Sequence, residues 1–222
     1  RNTVPSFNDD IQGTGAVALA GLIAAVNAGG GSGSARMGDQ RFLFYGAGAA
    51  TLGIVRLLRK HLEGAGASAS ERARAIIAMD SKGIVHDGRT DLTDGKSELA
   101  ISSETFEALG LRSLSAAAEL EEIVKTVAPT ALIGTSGQAG AFTEAAIRAL
   151  AAAAPAPLIW PLSNPTSCAE ATPEQILAWS GGRALVATGS PFAPVTSDGT
   201  THPISQANNV YIFPSVGLAA IA

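Results

Sequence analysis

The feature that most limits what this chain can fold into is a repeated alternation of short apolar runs with helically spaced segments. Arg41-Phe42-Leu43-Phe44-Tyr45 is a bulky run that reads as a buried strand. Over residues 50–62, Ile54, Leu58 and Leu62 fall on one stripe while Arg56, Arg59 and Lys60 fall elsewhere, which is helix spacing. Ala75 to Met79 reads as a second strand, Thr130 to Gly134 as a third, Leu158 to Leu162 as a fourth and Ala184 to Thr188 as a fifth. Between them, residues 115–128 place Leu120, Ile123, Val124 and Val127 at i, i+3, i+4 and i+7, and an Ala-rich helix covers about 140–153. Thr172-Pro173-Glu174-Gln175 opens a further helix, with Thr as N-cap, Pro at N1 and Gln at N3 closing a capping box. Short apolar strands alternating with helices specify a parallel sheet covered on both faces. The expected class is α/β, a doubly wound parallel sheet.

Two segments stand outside that rhythm. Residues 14–28 form an almost wholly apolar helix, expected to be buried on several sides. A Gly/Ser-rich linker over 29–40 follows it. Residues 63–74 are polar and small, and read as a surface excursion within the first βαβ unit. Composition then removes whole classes. A net charge of −4 without a basic block argues against a nucleic-acid partner. With 46% apolar residues the chain can offset its conformational entropy, and one Cys cannot staple a scaffold. The longest apolar run, Ala16 to Val26, falls short of the ~20 residues a membrane span needs, so no membrane association is expected. Arg1-Asn2-Thr3-Val4-Pro5 carries no signal-peptide pattern and reads as the interior of a longer chain. Only 15% of residues are charged, against roughly 25% in a typical domain, which suggests surface that is normally covered.

The turn after the first strand reads Gly46-Ala47-Gly48-Ala49-Ala50-Thr51-Leu52-Gly53. Glycines at a strand-to-helix turn let the backbone approach a pyrophosphate, whose charge then sits at the helix N-terminus. Thr51 holds the third fingerprint position in place of Gly or Ala, and Gly53 comes two residues late. Asp80 follows the second strand, where an acidic side chain binds a ribose diol. It lies further along than the usual ~20 residues, a difference the 63–74 excursion absorbs. The plainer alternative is a glycine turn that binds no dinucleotide.

Phe7-Asn8-Asp9-Asp10-Ile11-Gln12-Gly13-Thr14 sets two adjacent carboxylates at a helix start. They either cap that helix and complement its dipole, or supply a hard oxygen ligand for Mg²⁺ or Mn²⁺. Four amide- or hydroxyl-bearing loops complete the set: Gly134-Thr135-Ser136-Gly137, Ser163-Asn164-Pro165-Thr166, Gly189-Ser190-Pro191-Phe192 and Asn208-Asn209. Those that follow strands sit at carboxyl ends, where α/β sheets bind ligands. Each alone is ordinary turn chemistry; together they point to one edge.

These residues carry a resemblance. The Phe7–Thr14 segment, Gly46-Ala47-Gly48, Asp80-Ser81-Lys82-Gly83, Ser163-Asn164-Pro165-Thr166, Gly189-Ser190-Pro191-Phe192 and Asn208-Asn209-Val210-Tyr211-Ile212-Phe213-Pro214 are similar, in order, to motifs of the malic enzymes' dinucleotide-binding domain. The resemblance implies a Rossmann-type domain over residues 1–222. It also implies oxidative decarboxylation of L-malate to pyruvate and CO₂, with NAD or NADP and Mg²⁺ or Mn²⁺. On it, Asp10 resembles the metal ligand and Asp9 the neighbour that supports a lysine base. Gly46, Ala47, Gly48, Ala49, Ala50, Asp80, Ser81, Ser136, Gly137 and Asn164 resemble cofactor contacts. Asn164, Asn208 and Asn209 resemble substrate-side groups.

The departures are Ala49, where the family usually has Glu, and Ala207 and Ser215, which replace family glycines. Family members also carry an acid, a base and further metal carboxylates upstream. The resemblance therefore implies a partial chain, inactive alone, that works with an upstream catalytic domain within a soluble homo-oligomer of the cytoplasm or mitochondrial matrix. Lys82 and Lys96 tilt the cofactor slightly to NADP, although a strand-end Asp80 usually favours NAD. Malolactic enzyme and a non-catalytic nucleotide-binding module are the competing readings. His61, His86, His202 and Cys168 lie in contexts without metal or nucleophile spacing.

Overall fold

The five expected strands all form in the computed structural model, which describes residues 6–29, 36–113, 119–197 and 199–221. A π-helical turn at Asp9–Gly13 runs directly into α1 (Thr14–Gly29). Then come β1 (Phe42–Tyr45), α2 (Ala49–Gly64), α3 (Ala69–Ala75), β2 (Ile76–Asp80) and β3 (Gly83–Ile84). The middle of the chain supplies α4 (Asp94–Leu99), α5 (Ser103–Ala108), α6 (Leu120–Val127), β4 (Ala131–Gly134), α7 (Glu144–Ala153) and β5 (Leu158–Pro161). It closes with α8 (Pro173–Ser180), β6 (Leu185–Thr188), β7 (Val195–Ser197), β8 (Thr200–His202), β9 (Ser205–Gln206) and α9 (Phe213–Ile221).

Among the described residues the main sheet runs β3-β2-β1-β4-β5-β6-β9, and β7 pairs with β8 as a separate hairpin. All its pairings are parallel except that of β3 with β2. Phe42 is in register with Ile76 on one side and Ala131 on the other, so chain order reverses direction between β1 and β4. That switch opens a crevice at the carboxyl edge. Alternate strand residues feed opposite faces. Phe42, Phe44, Ile76 and Ile133 pack with Leu22 of α1 and with Ile54 and Leu58 of α2. Leu43, Ile77, Leu132 and Ile159 pack with Ile123 and Val124 of α6, Ile147 and Leu150 of α7, and Ile176 of α8.

Three expectations change. α1 fully buries a single stripe (Gly15, Ala18, Leu22 and Val26) rather than several sides, and its other faces are only partly covered. Helical structure is also continuous over Asp9–Gly29, 21 residues, long and apolar enough to cross a membrane by length and composition. The 11-residue apolar run understated it, because the glycines, Thr14 and the polar residues of the π-turn extend the same helix. That helix packs closely on α2 here. Finally, the 63–74 excursion is largely helical: α2 runs to Gly64, and Ser68 with Glu71 forms a capping box that starts α3. Of the 29–40 linker, residues 30–35 lie outside the described residues, while Met37–Asp39 forms a 3₁₀ turn. Residues 115–118 of the helix expected over 115–128 also lie outside them. The capping box predicted at Thr172 and Gln175 forms.

Candidate functional site

β1, β2, β4, β5 and β6 are parallel, so the loops after them share one edge. Gly46 leaves β1 with φ +122°, and its N–H donates to Met79 O at 2.9 Å. A Cβ there would lie 2.7 Å from Thr135 Oγ1, so the turn needs glycine for conformation and for space. Gly48 is different: a Cβ on it would meet nothing within 4 Å, leaving room beside the N-terminus of α2 at Ala49 and Ala50. Thr51, the departure from the fingerprint, is fully buried; its Oγ1 lies 2.7 Å from Gly46 O and 2.6 Å from Thr135 Oγ1. The hydroxyl thus ties the β1 turn to the β4 loop.

Asp80 stands at the end of β2 with its side chain 9% exposed. Its Oδ1 accepts from Lys82 N and Arg89 Nη1, both at 2.9 Å, and its Oδ2 from Arg89 Nη2 at 3.1 Å and Lys96 Nζ at 2.5 Å. Burial pushes its pKa up, but the hydrogen bonds from Arg89, Lys96 and the Lys82 amide, with the Arg89 charge, outweigh it and hold the group at about 2. A carboxylate has about four lone-pair sites. All four are taken by these donors, of which Lys96, 30% exposed, is the outermost. Arg89 also grips Asp91, which pairs with Lys82, so three cations face two carboxylates. A cavity of 280 Å³ opens here between Gly46, Ala47, Gly48, Asp80, Ser81 and Ser136.

The other half of the edge is held by side-chain bonds between distant segments. Asn8, not either aspartate, caps the first helical turn, accepting from Ile11 N at 3.1 Å. Asp10 is exposed, and Asp9 points inward. Asp9 Oδ2 accepts from Asn209 Nδ2 at 2.5 Å, and its Oδ1 is buried without a partner. Asn208 spends both ends on the loops, donating to Gly189 O at 2.8 Å and accepting from Val210 N at 2.9 Å. Asn164, beside a cis bond to Pro165, accepts from Ser190 Oγ at 2.7 Å. Ser136 and Gly137 complete the edge through Ser163 and Glu170. The 53rd residue also gains a role: a Cβ on Gly53 would lie 1.8 Å from Ile11 O, so this glycine lets the Asp9–Gly13 turn cross α2 at contact distance.

Sequence reasoning missed Arg89 and Glu170. The alternating charges of Asp80, Lys82, Asp87, Arg89 and Asp91 were a usable signal for the first. The second had none, because burial of a single Glu is invisible in sequence.

A glycine turn at a parallel-sheet switch point, a buried strand-end aspartate and a ring of amide loops define a Rossmann-type dinucleotide-binding domain. The chain belongs to the family described as "Malic enzyme, NAD binding domain", whose sequence model matches residues 11–222. It is 48% identical over 223 residues to the NAD-dependent malic enzyme of Proteus mirabilis, and 45% identical over 222 residues to that of Sodalis glossinidius. Both matches cover 100% of this chain and 38% of the relative, so the chain spans well under half the length of these curated relatives. Among solved structures it is similar to the Entamoeba histolytica malic enzyme, with a TM-score of 0.70 and 25% identity over 96% of this chain and 37% of that one. The Pyrococcus horikoshii malic enzyme shares the fold, with a TM-score of 0.64 and 24% identity over 96% of this chain and 42% of that one.

Proposed function

We propose that this chain is the cofactor-binding half of an enzyme that oxidatively decarboxylates L-malate to pyruvate and CO₂, reducing NAD. The observation that carries this reading is the Asp9–Asn209 bond, which joins opposite ends of the sequence where the β6 loop is held by Asn208. NAD supplies the hydride acceptor. Gly46, Ala47, Gly48, Ala49 and Ala50 hold the pyrophosphate against α2, Asp80 and Ser81 face the adenosine ribose, and Ser136, Gly137 and Asn164 line the path beyond. Asn164, Asn208 and Asn209 shape the substrate side. In this reading residues 1–222 form one such domain and close against an upstream catalytic domain.

Asp9 fits a supporting role, since its Oδ1 is buried with no partner among the described residues and an incoming lysine ammonium satisfies it. Asp10 fits as one hard oxygen ligand for Mg²⁺ or Mn²⁺, cations that keep several waters. Among the described residues no group of three His, Cys, Asp or Glu is placed to hold a metal, so the remaining ligands come from elsewhere in the enzyme. The metal supplies Lewis-acid stabilisation of charge developing on the substrate oxygens.

One observation favours NADP as a second reading: Lys96 Nζ is an outward cation beside the 280 Å³ cavity, in a cluster with one excess positive charge. The names of the bacterial relatives favour NAD. The test is product analysis on the native polypeptide that carries this domain, given malate, Mn²⁺ and either cofactor. Pyruvate with stoichiometric reduced NAD supports the reading; lactate without net cofactor reduction moves it to the malolactic reaction, and no conversion with bound NAD to a binding module.

A further inference from the structure

A carboxylate that the reaction does not use lies directly behind the cofactor edge. Glu170 is 0% exposed. Its Oε1 accepts from Ser136 N at 2.8 Å, Ser136 Oγ at 2.8 Å and Ser163 Oγ at 2.6 Å, while Oε2 is buried with no partner. Both hydroxyls pass the connection on. Ser163 Oγ accepts from Gly137 N at 2.8 Å, and Ser136 Oγ accepts from Gln138 N at 3.1 Å. Three successive amides, 136 to 138, thus end on one carboxylate oxygen, directly or through one hydroxyl. The backbone repeats the staple: Glu170 O accepts from Phe142 N at 2.9 Å.

β4 ends in glycine for the same reason. A Cβ on Gly134 would lie 2.4 Å from Glu170 Cδ, so the carboxyl group lies against the strand end itself. Burying a carboxylate is costly, and an apolar side chain of equal volume serves stability as well or better. Three donors on one oxygen is instead the pattern of a fixed anionic acceptor. What it fixes is the Ser136–Gln138 turn and Ser163, the residue before Asn164.

We propose that Glu170 is the positioning residue of the cofactor edge: its carboxylate locks the β4 and β5 loops into one wall, against which cofactor and substrate rest. This rests on the proposed function for what the wall binds, but not for the wall itself.

The test compares wild type, Glu170→Gln, Ser163→Ala and the double variant of this chain. It reads amide hydrogen exchange at 136–138, NAD affinity by calorimetry, and the thermal midpoint. A neutral amide oxygen is a weaker acceptor for three donors. In Glu170→Gln the 136–138 amides should therefore exchange about ten-fold faster, the size of one buried hydrogen bond, while β1 and β4 amides keep their protection. NAD affinity should fall by a similar factor, and the double variant should be little worse than either single one. Exchange at 136–138 unchanged in a folded Glu170→Gln chain, or fully additive losses of affinity, overturns the proposal. Should Glu170→Gln fail to fold, Ser163→Ala decides: faster exchange at Ser136 and Gln138 as well as at Gly137 supports the lock, and change confined to Gly137, which loses its own acceptor, overturns it. Should wild type bind no NAD, the proposed function falls, and the exchange comparison still judges Glu170.

Discussion

Gly46 and Gly48 look equivalent in the sequence and are not equivalent in the structure. Gly46 has φ +122° and no space for a Cβ; Gly48 has φ −96° and open space. Gly46→Ala should lower unfolding free energy by more than about 1 kcal/mol, measured by denaturant titration. Gly48→Ala should leave stability within about 0.5 kcal/mol yet, in the proposed function, weaken NAD, because its methyl group fills the space proposed for the pyrophosphate. Asp80 carries the pH dependence at this scale. Its folded pKa of about 2 lies below the unfolded value of 3.8. Its contribution is therefore present above pH ~4 and lost as pH falls toward 2, about 2 kcal/mol in all. Asp80→Asn should remove that part of the slope in unfolding free energy between pH 5 and 2. The sequence identified Asp80 as an acidic strand end, but not the Arg89 and Lys96 bonds that occupy it, since these depend on how residues 81–96 fold back.

At the scale of elements, periodicity located the long elements and missed the short ones. Leu120, Ile123, Val124 and Val127 are all buried on α6 as the i, i+3, i+4, i+7 spacing requires. β9 has two residues, and α4 and α5 have six each, too short to show a period, so they were not legible. Nor was the crossing of the Asp9–Gly13 turn over α2, which rests on Gly53. Gly53→Ala should force that turn off α2, costing about 1–3 kcal/mol as overpacking does and opening residues 6–13 to limited proteolysis. Unchanged cleavage in this variant would show that the turn is held elsewhere.

Across the whole molecule, the shortage of charge has a location. Phe213, Leu218 and Ile221 of α9 are 57%, 71% and 86% exposed, Tyr211 before them is 61% exposed, and the outer faces of α1 are apolar and half-covered. Contiguous exposed apolar surface marks an interaction site. In the proposed function it is covered by the catalytic half of a longer enzyme, so the chain alone, given malate, NAD and Mn²⁺, should form no pyruvate. The parallel class of the sheet and the shared carboxyl edge were readable from sequence, because each of the five central strands is a separate apolar run; the order of the strands was not. The hydrogen bonds that turn that edge into one wall join residues as far apart as Asp9 and Asn209, and only the fold brings them together. Calorimetric titration of NAD into the folded chain tests the central claim most directly. Saturable binding at one site per chain, weakened by Gly48→Ala, is the predicted result; a folded chain that binds neither NAD nor NADP would contradict it.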